Sequence, residues 1–357
     1  MTTTVTSSAS RSTAVTGAAQ ASRDGVVVLA HGGGGELMSR LIGDHVLKQL
    51  GNPLLDALTD GAILECPSAR IVLTTDSFVV QPLEFPGGDI GRIAVCGTVN
   101  DLAVMGGKPL GLSLGLILEE GFPLSRLDRI LASVRSAANE AGVHVVTGDT
   151  KVIERGTGAG MFINTAGVAA LDERIRVGFD RIREGDVLLV NGTLGDHGMA
   201  VMSVRNGLEF QTPIVSDAAP LAGMIFALAD AGVDVRFMRD ATRGGLAGVL
   251  ADVVERSGLT AMIEESCLPV RPEVRAAAEM LGFDVLSIAN EGKALFIVPQ
   301  EQADRALQVL RADRRGRDAR RIGRMCGGSP AIVELRTASG GSRVVQRPYG
   351  EELPRIC

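Results

Sequence analysis

Apolar residues recur along this chain at two spacings, and the spacing changes wherever glycine, proline or asparagine interrupts. The run VVVLAH at 26–31 predicts a short strand entering the glycine loop Gly32–Gly35. Leu37, Leu41, Ile42, Val46, Leu47 and Leu50 then follow at helical spacing, and Asn52-Pro53 ends that helix. ARIVLTTDSF predicts a strand that finishes in polar residues, and IGRIAVCGTVNDLAV a helix stopped by Gly106-Gly107. PLGLSLGLIL reads as a strand, LDRILASVRSAANEA as a helix ending at Gly142, VHVVTGDT as a strand giving way to a loop, and MFINTAGVAAL as another strand. After residue 180 the alternation starts again, with GDVLLVNG, the helix opened by LGDHGMAVMSVRNG, the helix EQADRALQVLRA and a final strand near AIVEL.

Two halves that each mix strands and helices predict a two-domain α+β, or mixed α/β, fold joined near residue 180. The predicted divisions are a disordered extension (1–24), an N-terminal domain (25–180), a C-terminal domain (181–340) and a mobile tail (341–357). The extension is rich in Ser, Thr and Ala and lacks the apolar core of a secretory signal.

Composition narrows the function classes. A net charge of −6 carries no electrostatic footprint for nucleic acid, and 3% aromatic residues with no Trp offer no stacking surface. No apolar run reaches the length of a membrane span. Cys66, Cys96, Cys267, Cys326 and Cys357 are an odd, scattered set that fits reduced thiols in the cytoplasm. His31, His45, His144 and His197 have no zinc-ligand spacing. The arginine-dense stretch 311–324 also holds Asp313 and Asp318 and reads as a solvated helix end and loop.

The candidate chemistry lies in acidic residues beside Gly, Thr or Asn. Asp76 sits in LTTDSF, Asp101 follows Asn100 in GTVNDLAVMG, Asp149 precedes Thr150 and Lys151 in VTGDTK, and Asp240 stands in RDATRGG. Carboxylates from separate loops, completed by phosphate oxygens and water, suit the octahedral oxygen shell of Mg²⁺. Each alone reads more readily as a helix cap or turn residue, and only the set of them brings the metal reading level. The loop Gly32, Gly33, Gly34 precedes a helix, where free N–H groups attract phosphate, and Arg243 opens a second glycine-rich turn of the same kind. Neither Gly107-Lys108 nor Gly292-Lys293 completes a P-loop, and HGGGGEL does not fit the dinucleotide fingerprint. The chain ends PYGEELPRIC, an extended arm of about a dozen residues with a thiol at its tip. On chemistry alone that arm reads as a frayed tail more readily than as a functional one.

From Ala30 to Cys357 the words LAHGGGGELM, LTTDSFVVQPLEFPGGDIGRIAVCGTVNDLAVMG, ILEEGFP, VTGDTKV, FINTAG, GTLGDHG, RDATRGG, ANEGK and PRIC closely resemble the hydrogenase maturation carbamoyl dehydratases, the HypE family. That family is related to aminoimidazole ribonucleotide synthetase, selenophosphate synthetase and thiamine-monophosphate kinase. The resemblance implies their fold, an N-terminal domain that binds ATP and Mg²⁺ and forms a homodimer, and a cytoplasmic enzyme. It implies a carbamoyl group placed on Cys357 by a HypF-type carbamoyltransferase, then dehydrated with ATP to a thiocyanate. The cyanide would pass to iron on a HypC–HypD scaffold for [NiFe]-hydrogenase. It assigns Asp76, Asp101, Asp149 and Asp240 to magnesium. Gly32–Gly34, Asn100, Asp101, Thr150 and Arg243 fall to nucleotide, and Glu291, Lys151 and His31 to proton transfer or phosphate charge. The selenophosphate branch is disfavoured, because the loop at 31–36 has no cysteine. The alternatives are another ATP-dependent enzyme acting on a free substrate, or a thiol carrier without catalysis.

Overall fold

The computed structural model describes residues 25–348 apart from 34–35, 57, 59–60, 157 and 208–213. The N-terminal extension, Gly34 and the tail from residue 349 to Cys357 lie outside the described residues.

The expected strand at 26–31 is not formed. Val26 bridges Pro123, the Val27 N–H donates to Phe122 O at 2.8 Å, and the chain then tightens into a 3₁₀ turn at Leu29–Gly32. Helix α1 (Glu36–Leu41) continues through a π-helical segment, Ile42–Leu47, into Lys48–Leu50, so the predicted helix is present but wound in three ways.

The N-terminal half is one sheet with its helices on one face. It contains β1 (Ile71–Phe78), α2 (Ile90–Val104), β2 (Gly107–Glu119), α3 (Leu124–Ala141), β3 (Val145–Ile153) and β4 (Met161–Leu171). The strand order is β1-β4-β2-β3, with β2 and β3 parallel and the other pairs antiparallel. Asp89 caps α2 by accepting from the Arg92 N–H at 2.9 Å. Beyond the end of α2, Gly106 has φ +80, a turn that favours glycine. α2 is buried all round because it packs on β1 and β4, on α3 and on the C-terminal half, as an apolar helix without a polar stripe must.

β3 carries an extra residue. Val145 pairs with Leu112 and Thr147 with Ser113, so Val146 has no partner across the ladder. Val145 and Val146 are both buried, and a Cβ on Gly111 would stand 2.9 Å from Val146 Cγ2. The strand does not give way to a loop after Thr150, as the composition predicted, but runs to Ile153. Asp149 pairs in register with Gly115, Gly115 with Asn164, and Asn164 with Ser77. These four therefore share the face turned away from α2.

The C-terminal half holds β5 (Val187–Val190), α4 (Asp196–Arg205), α5 (Ala222–Asp230), β6 (Phe237–Asp240), α6 (Gly245–Ser257), β7 (Thr260–Glu264), α7 (Pro272–Leu281), β8 (Ala294–Val298), α8 (Ala303–Ala312), β9 (Arg320–Cys326), β10 (Val333–Arg336) and β11 (Ser342–Val345). Its sheet runs β11-β10-β7-β9-β5-β8-β6. β5 and β8 are buried along their whole length and read as continuous apolar runs. The arginine-dense stretch is only partly helix end and loop, because its last residues form β9. The expected tail also starts later than 341, since 342–345 pairs with β10. One apolar core includes Ile93 and Leu102 of α2 together with Val187, Met199 and Phe296, so the two halves are packed as a unit. No helix among the described residues is long and apolar enough to cross a membrane.

Candidate active site

The sheet and α2 place two aspartates side by side. Asp76 is on the β1 face that packs against α2, and Asp101 is on α2. Thr74, on the same face of β1, donates from Oγ1 to Asp101 Oδ2 at 3.0 Å. From the other half, β6 ends in Asp240, and Glu291 precedes β8. All four carboxyls line one cleft of about 390 Å³, with Arg243 and the Phe78 ring. Gly97 of α2 makes the approach possible, since a Cβ there would lie 3.0 Å from the Phe78 ring and 3.8 Å from Glu291 Oε2. Arg239 and Arg347 stand at the rim with Asp252.

Crowding of buried acids shapes the electrostatics. Burial, then repulsion from Asp101, pushes Asp76 up to about 6. Burial, then Asp101 and Asp76, pushes Asp240 up to about 7. Asp101 is raised by burial, and Glu291 is held well above the carboxylate range by burial and by Asp240. Glu291 Oε2 is buried with no hydrogen-bond partner. Such a set gains from an added cation. Among the described residues no three His, Cys or acidic side chains are close enough to cage an ion unaided. A magnesium ion, which takes a few carboxylates and fills its shell with phosphate and water, fits this incomplete donor set.

The remaining candidates lie elsewhere. Asp149 and Lys151 are on β3, 64% and 61% exposed, with Lys151 Nζ 2.8 Å from Asp149 Oδ1. That hydrogen bond holds Asp149 below the usual carboxylate range. β3 is three strands from β1, about 14 Å across the sheet, and Asp149 faces away from Asp76. Within this chain Asp149 therefore does not join the other three aspartates. Thr150 is buried on the inner face of β3. Gly32 packs on the same strand, where a Cβ would lie 2.9 Å from Val152 N. His31 is buried and its Nδ1 accepts from the Val28 N–H at 3.0 Å; burial pushes its pKa down. Gly32, His31, Asp149 and Lys151 thus lie at the far edge of the sheet.

Asn100 does not line the cleft. It is 1% exposed, its Nδ2 donates to Ala219 O at 3.1 Å and Glu291 O at 3.3 Å, and its Oδ1 accepts from the Leu221 N–H at 2.7 Å. It is a clasp between the halves. Sequence reasoning missed Asp217 and Lys293. The Glu291 N–H donates to Asp217 Oδ1 at 3.0 Å, and Lys293 Nζ lies 3.0 Å from Asp217 Oδ2. Asn191 Nδ2 donates to Gly292 O at 3.0 Å, so the segment carrying Glu291 is fixed on both sides.

The two halves correspond to the two domains of the AIR synthase related proteins. Their N-terminal domain model matches residues 58–171 and their C-terminal domain model residues 183–335. The carbamoyl dehydratase HypE of Azotobacter vinelandii is 47% identical over 335 residues, 94% of this chain and 98% of that protein. A crystal structure of the hydrogenase maturation protein HypE in complex with ATP superposes with a TM-score of 0.89 at 42% identity, covering 92% of this chain and 99% of that one. The HypE chain in a crystal structure of a HypE–HypF complex is 44% identical with a TM-score of 0.76, over 88% of this chain and 100% of that one. The chain belongs to the HypE family, the carbamoyl dehydratases of hydrogenase maturation.

Proposed function

We propose that this chain uses ATP to convert a carboxamide carried on the sulfur of Cys357 into a thiocyanate, whose cyanide is destined for the iron of [NiFe]-hydrogenase. The observation that carries the reading is the convergence of Asp76, Asp101, Asp240 and Glu291 in the cleft on whose rim the last described residues end. Support for ATP comes from the relative crystallised with it. The same support applies to a carbamoyltransferase partner, since a relative is solved with HypF. A HypC–HypD type scaffold is the proposed acceptor.

Asp76, Asp101 and Asp240 would hold Mg²⁺, which when bound offsets the charge of the polyphosphate. The carboxamide oxygen attacks the γ-phosphorus as the bond to the bridging oxygen breaks, releasing ADP. Glu291, in its ionised form, takes a proton from nitrogen, the C–O bond breaks with departure of phosphate, and loss of the second nitrogen proton leaves S–C≡N. An amide oxygen is a poor leaving group and a phosphate a good one. Carrying the substrate on a tethered thiol replaces diffusion with positioning.

Asp149, Lys151 and the glycine loop enter through a homodimer. The outer face of the N-terminal sheet is open and apolar, with Leu73 71%, Ile71 59% and Ile117 40% exposed. A second copy on that face would carry its own β3 edge toward the first copy's aspartates.

The test is the intact mass of chain carbamoylated at Cys357 and mixed with Mg-ATP. Loss of one water from the C-terminal peptide is expected. Unchanged mass would mean a thiol carrier. Normal turnover of a free substrate by chain lacking Cys357 would mean a different ATP-dependent enzyme.

A further inference from the structure

The last described residues are tied down at the cleft. Val345, the end of β11, is buried. Two residues on, Arg347 reaches α6: its Nη2 lies 2.6 Å from Asp252 Oδ1 and 2.8 Å from Glu255 Oε2. Asp252 Oδ2 is 2.5 Å from Nη1 of Arg239, whose strand also ends at the cleft. Pro348 then lies against the first turn of α6, its Cγ 3.8 Å from where a Cβ on Gly244 would stand. The described residues therefore end beside Asp240 and Arg243, and 349–357 follow in the sequence. Nine residues span at most about 30 Å.

We infer that Arg347 is a positioning residue: by pinning the root of the C-terminal arm to Asp252 and Glu255 it raises the local concentration of Cys357 at the cleft. The inference rests on the thiocyanate reading above. Freed of this latch, the arm would start after Val345 and grow from nine to twelve residues. It would also lose the direction that the contact with α6 imposes, and effective concentration falls with both length and orientational freedom. The latch is built of partly exposed charges, Arg347 at 49%, Asp252 at 22% and Glu255 at 72%. Exposed pairs of this kind are individually weak and salt-screened. The root is thus held but not locked, which suits an arm that must also visit a partner enzyme.

The experiment compares tethered and untethered substrate. Full-length chain carbamoylated at Cys357 is mixed with Mg-ATP and single-turnover dehydration is followed by intact mass. Arg347→Ala is expected to slow this reaction about three- to tenfold, and Arg347→Lys to recover most of the rate. In a Cys357→Ala background, Arg347→Ala is expected to leave dehydration of a carbamoylated 349–357 peptide, and calorimetric Mg-ATP affinity, as they were. An unchanged tethered rate overturns the inference. So does an equal loss with tethered and free peptide, or a fall in nucleotide affinity that matches the loss of rate. If chain with Arg347 intact fails to lose water, the reading of the reaction has failed, and not the latch alone.

Discussion

The backbone N–H of Glu291 donates to Oδ1 of Asp217, 3.0 Å away and 74 positions earlier in the chain. The other oxygen of Asp217 is paired with Lys293, and both side chains are nearly buried, 3% and 10% exposed. A buried ion pair is a poor source of net stability but costly to break on one side. Here its effect is to hold one turn of backbone, and with it the carboxyl proposed as base.

Lys293→Met removes the cation paired with Asp217. Unfolding in denaturant is expected to show a loss of about 3–5 kcal/mol. Lys293→Met combined with Asp217→Asn should recover most of it, because an amide oxygen still accepts from Glu291. A double variant as unstable as the single one would remove the ion-pair explanation.

Asp240 makes stability depend on pH in an unusual direction. Its carboxyl is raised from 3.8 to about 7 by burial and by Asp101 and Asp76. Between those values the unfolded chain releases the proton first, so stability falls as pH rises from about 4 to 7 and then levels off. Asp240→Asn removes the penalty. At pH 8 it should be more stable than the parent by about 2–4 kcal/mol, a difference that disappears near pH 4, while Mg-ATP binding is lost. Thermal melts across that range check the sign.

Asn100→Ala removes a clasp that makes three hydrogen bonds. A loss of about 2–4 kcal/mol is expected, together with slower turnover as the Glu291 segment loosens. Nucleotide affinity should stay within about twofold, since 1.4 kcal/mol of direct contact would already change it tenfold. Lost affinity with unchanged stability would return Asn100 to the nucleotide site.

Asp101→Asn and Asp149→Asn are each expected to be inactive. If the site is completed by a second copy, mixing and re-equilibrating the two variants should restore about a quarter of the parent activity through heterodimers with one intact site. Leu73→Glu should abolish that rescue and yield monomers by light scattering. Mixtures that stay inactive would place Asp149 outside the site.

Much of this was legible in the sequence, for identifiable reasons. α2 and α3 are long and end where glycine must take positive φ, at Gly106 and Gly142, so both termini could be read from residue type. Asp76, Asp101 and Asp240 stood out as acids at element ends. Asp149 was misplaced into a loop because Gly-Asp-Thr has the composition of one, although strand pairing with β2 overrides that preference. The 342–345 strand was hidden by polar residues, since only Val345 there is buried. Asp217 lies in a loop with no periodic signal. Lys293 was in plain view, yet the Gly-Lys pair suggests phosphate chemistry, whereas its partner is a distant aspartate.

The unpaired Val146 has one more consequence. Side chains on a strand alternate strictly, so one extra residue decides which face every later one takes. Excising Val146 would remove one apolar residue of β3 and leave the Asp149–Lys151 spacing untouched. It would nevertheless turn those two charges toward the helices and send Thr150 outward. The polarity of the entire outer edge is therefore encoded by a single valine and by the absence of a side chain at Gly111, two apolar positions that carry no chemistry themselves.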